Sequence, residues 1–95
     1  MAFYKGDLTK RLIASYPDCI ETDDDNNVLF EETAYNFSVA IMENIDAKRQ
    51  KYYFGNSFLS LEECTYYVRT YMQDLLEACQ NFVDNNSDNY DSCDL

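Results

Sequence analysis

Ser60-Leu61-Glu62-Glu63-Cys64-Thr65-Tyr66-Tyr67-Val68-Arg69-Thr70-Tyr71-Met72-Gln73-Asp74-Leu75-Leu76-Glu77-Ala78-Cys79-Gln80-Asn81-Phe82-Val83-Asp84 is the stretch whose reading decides the fold. Leu61, Cys64, Val68, Met72, Leu75, Cys79 and Phe82 recur at steps of three and four, which places them on one stripe of an α-helix. Tyr71, Leu76 and Val83 widen that stripe. Ser60 followed by Glu63 is a capping box, in which each residue's side chain satisfies an amide that the first helical turn leaves unpaired. The spacing predicts one long helix over 61–84.

Upstream, Lys51-Tyr52-Tyr53-Phe54 and Ser57-Phe58-Leu59 flank Gly55-Asn56. A short hairpin and a plain connecting loop with aromatic anchors both fit this pattern. Before it, Phe30, Ala34, Phe37, Ile41 and Ile45 form a second helical stripe and predict a helix over 29–49. Glu31 and Glu32 fall in its first turn and Lys48 and Arg49 in its last, the ends the helix dipole favours for each charge. Asp7 can cap a first helix over 7–16 with Leu8, Leu12 and Ile13 inward, and Pro17 ends it. The acidic run Glu21-Thr22-Asp23-Asp24-Asp25-Asn26-Asn27 is expected as an exposed loop. The expected architecture is mainly α: a small three-helix bundle, with the hairpin between the second and third helices left open. Residues 1–84 make the single domain, and 85–95 are too polar to pack and are expected to be a disordered tail.

At 95 residues, 46% of them hydrophobic, the chain can bury one modest core. No run approaches the roughly 20 apolar residues that span a bilayer, and the first residues lack a signal-peptide core, so a cytoplasmic protein is expected. Four cysteines without a secretion signal, a histidine or a Cys-x-x-Cys pair read as reduced thiols rather than disulfides or a zinc site. Cys64 and Cys79 fall on the apolar stripe, where a thiol packs as a small hydrophobe.

Catalytic parts are scarce. Without histidine there is no Ser-His or Cys-His pair, and Gly6 and Gly55 alone cannot build a phosphate-cradling loop. The carboxylates fall on polar faces and loops, away from apolar neighbours that would raise their pKa. No enzyme and no cofactor are expected. The 21–32 segment resembles an EF-hand calcium loop: Glu21 stands at position 1, Asp23 at 3, Asp25 at 5 and Glu32 at 12. It departs at position 1, which is Glu, and at position 6, which is Asn26, and Pro17 interrupts the incoming helix. That resemblance implies a calcium-binding helical module as one alternative.

Charge carries the main functional expectation. The net charge of −11 disfavours nucleic acid and anionic membranes as direct partners and suits a basic protein. At 100° per residue, Glu63, Asp74, Glu77 and Asp84 lie opposite the stripe of the third helix, with Tyr66, Thr70 and Asn81 among them. On the second helix Glu32, Glu43 and Asp46 do the same around Tyr35 and Val39. At about 1.5 Å rise per residue the third-helix acids would span roughly 30 Å, a length over which nucleic acid also presents a row of charge. In size and charge the chain resembles viral inhibitors of host restriction systems or RNA-guided nucleases, a compositional resemblance with no motif behind it. The expected function is binding and inhibition of a basic, nucleic-acid-processing partner. A self-associating helical subunit, homodimer included, is another alternative, and any amphipathic helix in an acidic protein has an acidic outer face. The basic run Lys48-Arg49-Gln50-Lys51 reads as an ordinary helix end.

Overall fold

The computed structural model describes the backbone of residues 5–93 and the side chains of 8–85. Among the described residues there are five α-helices: α1 Lys5–Ser15, α2 Phe30–Asn44, α3 Ala47–Phe54, α4 Leu61–Tyr71 and α5 Gln73–Cys93. The chain is mainly helical, as its periodicity predicts, but the three-helix count is corrected. Each of the two long helices expected from the apolar stripes is broken in two.

The first break falls after Asn44. Ile45 is extended, and Asp46 caps α3 by accepting the Arg49 amide at 2.8 Å. An aspartate in that position offers the backbone a competing set of hydrogen bonds, and here it prevails over the continuing apolar spacing. The buried Gln50 side chain secures the break: its Nε2 donates to the Ile45 carbonyl at 3.0 Å and its Oε1 accepts the Phe58 amide at 2.9 Å. Lys51–Phe54 is the last turn of α3, so the hairpin reading is also corrected. Gly55, at φ 75°, is the left-handed residue that closes this helix, its amide donating to the Lys51 carbonyl. Phe54 and Phe58 meet across the turn with ring centroids 5.7 Å apart.

The second break is at Met72 (φ −119°, ψ 43°), which ends α4 by donating to the Val68 carbonyl and whose own carbonyl accepts the Leu75 amide. No Gly, Pro or capping side chain marks it. Its cause is packing. α4 packs chiefly on α2, whereas α5 packs most on α1, and the break lets Cys64 and Val68 of the one helix and Leu75, Leu76 and Cys79 of the other all be buried. Phe37, Ile41, Val68 and Leu75 are fully buried at the centre.

α1 begins before Asp7, which therefore lies inside the helix rather than capping it; Leu8, Leu12 and Ile13 are buried as expected. Pro17 ends it and opens a 3₁₀ turn, Pro17–Cys19. The acidic loop is exposed but closed. Thr22 and Val28 form one antiparallel bridge, and the Asp23 Oδ1 accepts the amides of Asp25 and Asn27, both at 2.9 Å. Gln80 of α5 holds it down, accepting the Val28 amide at 2.8 Å and donating to the Asn26 carbonyl at 3.0 Å. Cys64 and Cys79 are free and buried, and burial pushes both thiols up, Cys79 to about 12. No helix among the described residues is long and apolar enough to cross a membrane. α5 extends to Cys93; the side chains of 86–95 lie outside the described residues, and with them the expected disorder of the tail.

Candidate functional site

The outward side of α2 forms a ridge between two grooves. Thr33, Ala34, Phe37, Ser38, Ala40 and Ile41 turn inward, which leaves Glu32, Tyr35 and Glu43 exposed and Val39 half-buried on the opposite side. On one flank, α2 and the Ser15–Glu21 segment enclose a shallow groove of about 670 Å³ whose acids are Asp18, Glu21 and Glu43. On the other flank, α2 and α4 enclose a groove of about 590 Å³ lined by Tyr35, Leu61, Glu62, Thr65, Tyr66 and Arg69. Tyr35 belongs to both.

The second groove is held by the firmest packing in the molecule. α2 lies against α4 more extensively than any other pair of elements, through the fully buried Phe37, Ile41, Cys64 and Val68. Arg69 of α4 pairs with Glu31 of α2 across one end. Both side chains are largely exposed, so that pair adds little stability, but it occupies the groove's own cation. Thr65 donates its hydroxyl to the Leu61 carbonyl at 2.8 Å, which leaves the floor without a free donor from that residue. Tyr35 is 50% exposed and Tyr66 64%. Neither ring stacks on another among the described residues.

The acids expected to form one row do not form one, because the helix carrying them is broken at Met72. Glu63 is exposed but engaged at the start of α4: its amide donates to Ser60 Oγ at 3.2 Å and its carboxylate accepts the Leu59 amide at 2.8 Å. The capping box is thus present with the return bond shifted by one residue. Asp74 turns towards α1 and accepts from the Thr9 hydroxyl at 3.3 Å. Glu77 lies beside Phe30, Arg69, Gln73 and Leu76 in a depression of about 290 Å³. Asp84 accepts from Gln80 at 3.1 Å, next to the acidic loop. Asp46 leaves the α2 face altogether, because it caps α3. Glu32, Tyr35, Glu43 and Tyr66 remain together around the ridge.

Glu62 was legible and missed. It precedes Tyr66 by four residues, one helical turn, and that signal identifies it as a groove neighbour where the stripe argument selected Glu63. Charge is also segregated. α1 and α3 together contain six of the seven basic residues and one acid, Asp7, of eighteen. Leu8 and Thr9 of the one and Tyr53 and Phe54 of the other line the same small cavity.

In the calcium-like loop, hydrogen bonds from the Asn27 and Asp25 backbone hold the Asp23 carboxyl below its ordinary pKa. Among the described residues no three acidic or thiol side chains are grouped so as to hold a metal ion. In comparisons with known proteins, no family model matches the chain, and no curated protein or solved structure gives a significant match.

Proposed function

We propose that the protein is a stoichiometric binder that presents the α2 ridge and the α2–α4 groove to a basic protein and so blocks it. The observation that carries this reading is the pair of exposed tyrosines on one groove, set between helices whose relative position the core fixes. Tyrosine is enriched in protein interfaces, where its ring gives contact area and its hydroxyl a polar handle. Glu32, Glu43 and Glu62 around it supply attraction for a cationic surface, and the overall −11 charge would steer the encounter. The sharpest form of the proposal is a phage-type inhibitor of a host nucleic-acid-processing enzyme, such as a restriction or CRISPR effector, acting in the cytoplasm. Charge mimicry would then come from the ridge and its grooves rather than from a continuous row along one helix.

Affinity capture from the soluble extract of the native host tests this, run at low salt, at high salt, and with a Glu32→Lys/Glu43→Lys/Glu62→Lys variant. Support is the recovery of one basic nucleic-acid-binding protein, lost in both controls, whose nucleic acid competes with the bait. Recovery of nothing but the bait removes the proposal. A second reading, self-association, draws on the segregated charge: the α1–α3 side of one copy complements the α2 ridge of another. Its oligomer would persist in the absence of any partner and dissolve when Lys48, Arg49 and Lys51 are reversed.

A further inference from the structure

The α2–α4 groove has a specific composition that goes beyond an acidic surface. Two exposed aromatic rings, Tyr35 and Tyr66, come from different helices, and Leu61 adds apolar surface to the same lining. Glu62 places one carboxylate on the rim. Among the described residues the groove's own cation, Arg69, is paired with Glu31, and no cation of the chain pairs with Glu62. A neutral apolar ligand would leave Glu62 without a role, and an anion would meet both that carboxylate and the field of the whole chain. A cation fits all four features.

Between the two cationic side chains the groove discriminates. A guanidinium is flat, weakly hydrated and able to lie on an aromatic face while its edge donates to a carboxylate. An ammonium is compact and strongly hydrated, and loses more on entering an apolar floor. We propose that the α2–α4 groove is the seat for an arginine side chain of the basic partner, with the guanidinium plane on the rings of Tyr35 and Tyr66 and its charge met by Glu62. This rests on the reading that the partner is a basic protein, and it names the part of that partner which the groove recognises.

The site is preorganised. Both tyrosines are on helices that pack through fully buried residues, so binding orders side chains only, and α4 keeps its own cap through Ser60 and Glu63. The rings are exposed, so their replacement leaves the core untouched.

The test uses the intact protein and three ten-residue peptides, otherwise neutral, with arginine, lysine or citrulline at the centre. Binding is followed by NMR on the tyrosine ring signals. The arginine peptide is expected to shift Tyr35 and Tyr66 selectively, lysine to bind several-fold more weakly, and citrulline, isosteric but uncharged, to leave both rings unshifted. Tyr66→Leu should weaken arginine binding about two- to fivefold, Tyr66→Phe should preserve it, and Glu62→Gln should weaken it and flatten its salt dependence. Equal shifts from arginine and citrulline, wild-type binding by Tyr66→Leu, or shifts spread over the acidic loop instead of the groove would overturn the proposal. The two readings fail separately. A captured partner that ignores Tyr66→Leu and Glu62→Gln but is lost on reversing Glu32 and Glu43 removes the arginine seat and keeps the acidic face. Selective arginine binding with no partner captured keeps the seat and removes the proposed function.

Discussion

Two aromatic regions of this molecule use the same residue types for opposite purposes. Around α3 and the first half of α4, Phe54, Phe58 and Tyr67 meet in tilted and edge-on contacts at 5.2 to 6.1 Å, Tyr53 and Tyr71 extend the cluster, and the Tyr67 hydroxyl donates to the Phe54 carbonyl at 3.1 Å. On the far side of α4, Tyr66 faces Tyr35 across a groove, with no ring neighbour among the described residues. Tyr66 and Tyr67 are adjacent in sequence, and a helix turns them about 100° apart, one into cohesion and one into display. Aromatic content therefore says nothing about function until each ring's neighbours are known. Charge divides along a related line: the basic residues concentrate on α1 and α3, and the groove carries the carboxylate of Glu62 while its own cation, Arg69, is paired with Glu31.

The largest expected effect is on the cohesive side. Phe54→Ala should cost about 3 to 4 kcal/mol by chemical denaturation, because a buried ring leaves a cavity between Phe58 and Tyr67. A loss under 1 kcal/mol would erase the distinction between the two regions. Gln50→Ala should cost about 2 kcal/mol, since it strips the Phe58 amide and the Ile45 carbonyl of their buried partner. Tyr67→Phe, which removes one half-buried hydrogen bond and keeps the ring, should cost about 1 kcal/mol. On the display side, Tyr35→Leu and Tyr66→Leu should each change stability by less than about 0.5 kcal/mol while weakening the partner complex. A large stability loss there would mean that these rings are structural after all.

The smallest effect lies outside both regions and depends on pH. The Asp23 carboxyl titrates below the ordinary aspartate value because backbone amides stabilise its charged form. A folded-state pKa that is depressed adds stability above the unfolded value, about 3.9, and loses it as pH falls through the folded one. Asp23→Asn should therefore melt slightly below wild type at pH 7, and the two melting curves should converge in acid. A gap that stays constant with pH would contradict that cause.

The positions of these elements were unequally legible. The stripes through Phe37 and Ile41 and through Val68 and Leu75 identify the buried faces, because periodicity reports burial, but two of their expected members, Phe30 and Tyr71, are exposed near the ends of α2 and α4. The break at Asp46 had a readable signal, a strong capping residue, that the continuing spacing of Ile45 masked. Around Gly55-Asn56 a hairpin and a plain loop both fit the sequence, and neither anticipates that Lys51–Phe54 is helical, with Gly55 closing the helix and Gln50 holding the Phe58 amide. The break at Met72 had no local signal, since it follows from α4 and α5 needing different partners, α2 and α1. That break also separates Glu63 and Tyr66 from Asp74, Glu77 and Asp84, which a single straight helix would have aligned.

The central claim is that the α2–α4 face, not net charge as such, holds a basic partner. It is tested most directly by measuring the affinity of the captured partner for wild type, for Tyr35→Leu/Tyr66→Leu, which leaves the charge unchanged, and for Asp24→Asn/Asp25→Asn, which removes two charges from the acidic loop, over a range of salt. The account predicts a tenfold or greater loss for the tyrosine pair at every salt concentration, and a small loss for the loop variant that vanishes as salt rises. Equal, fully salt-screened losses in both variants would contradict it and reduce the interaction to undirected charge.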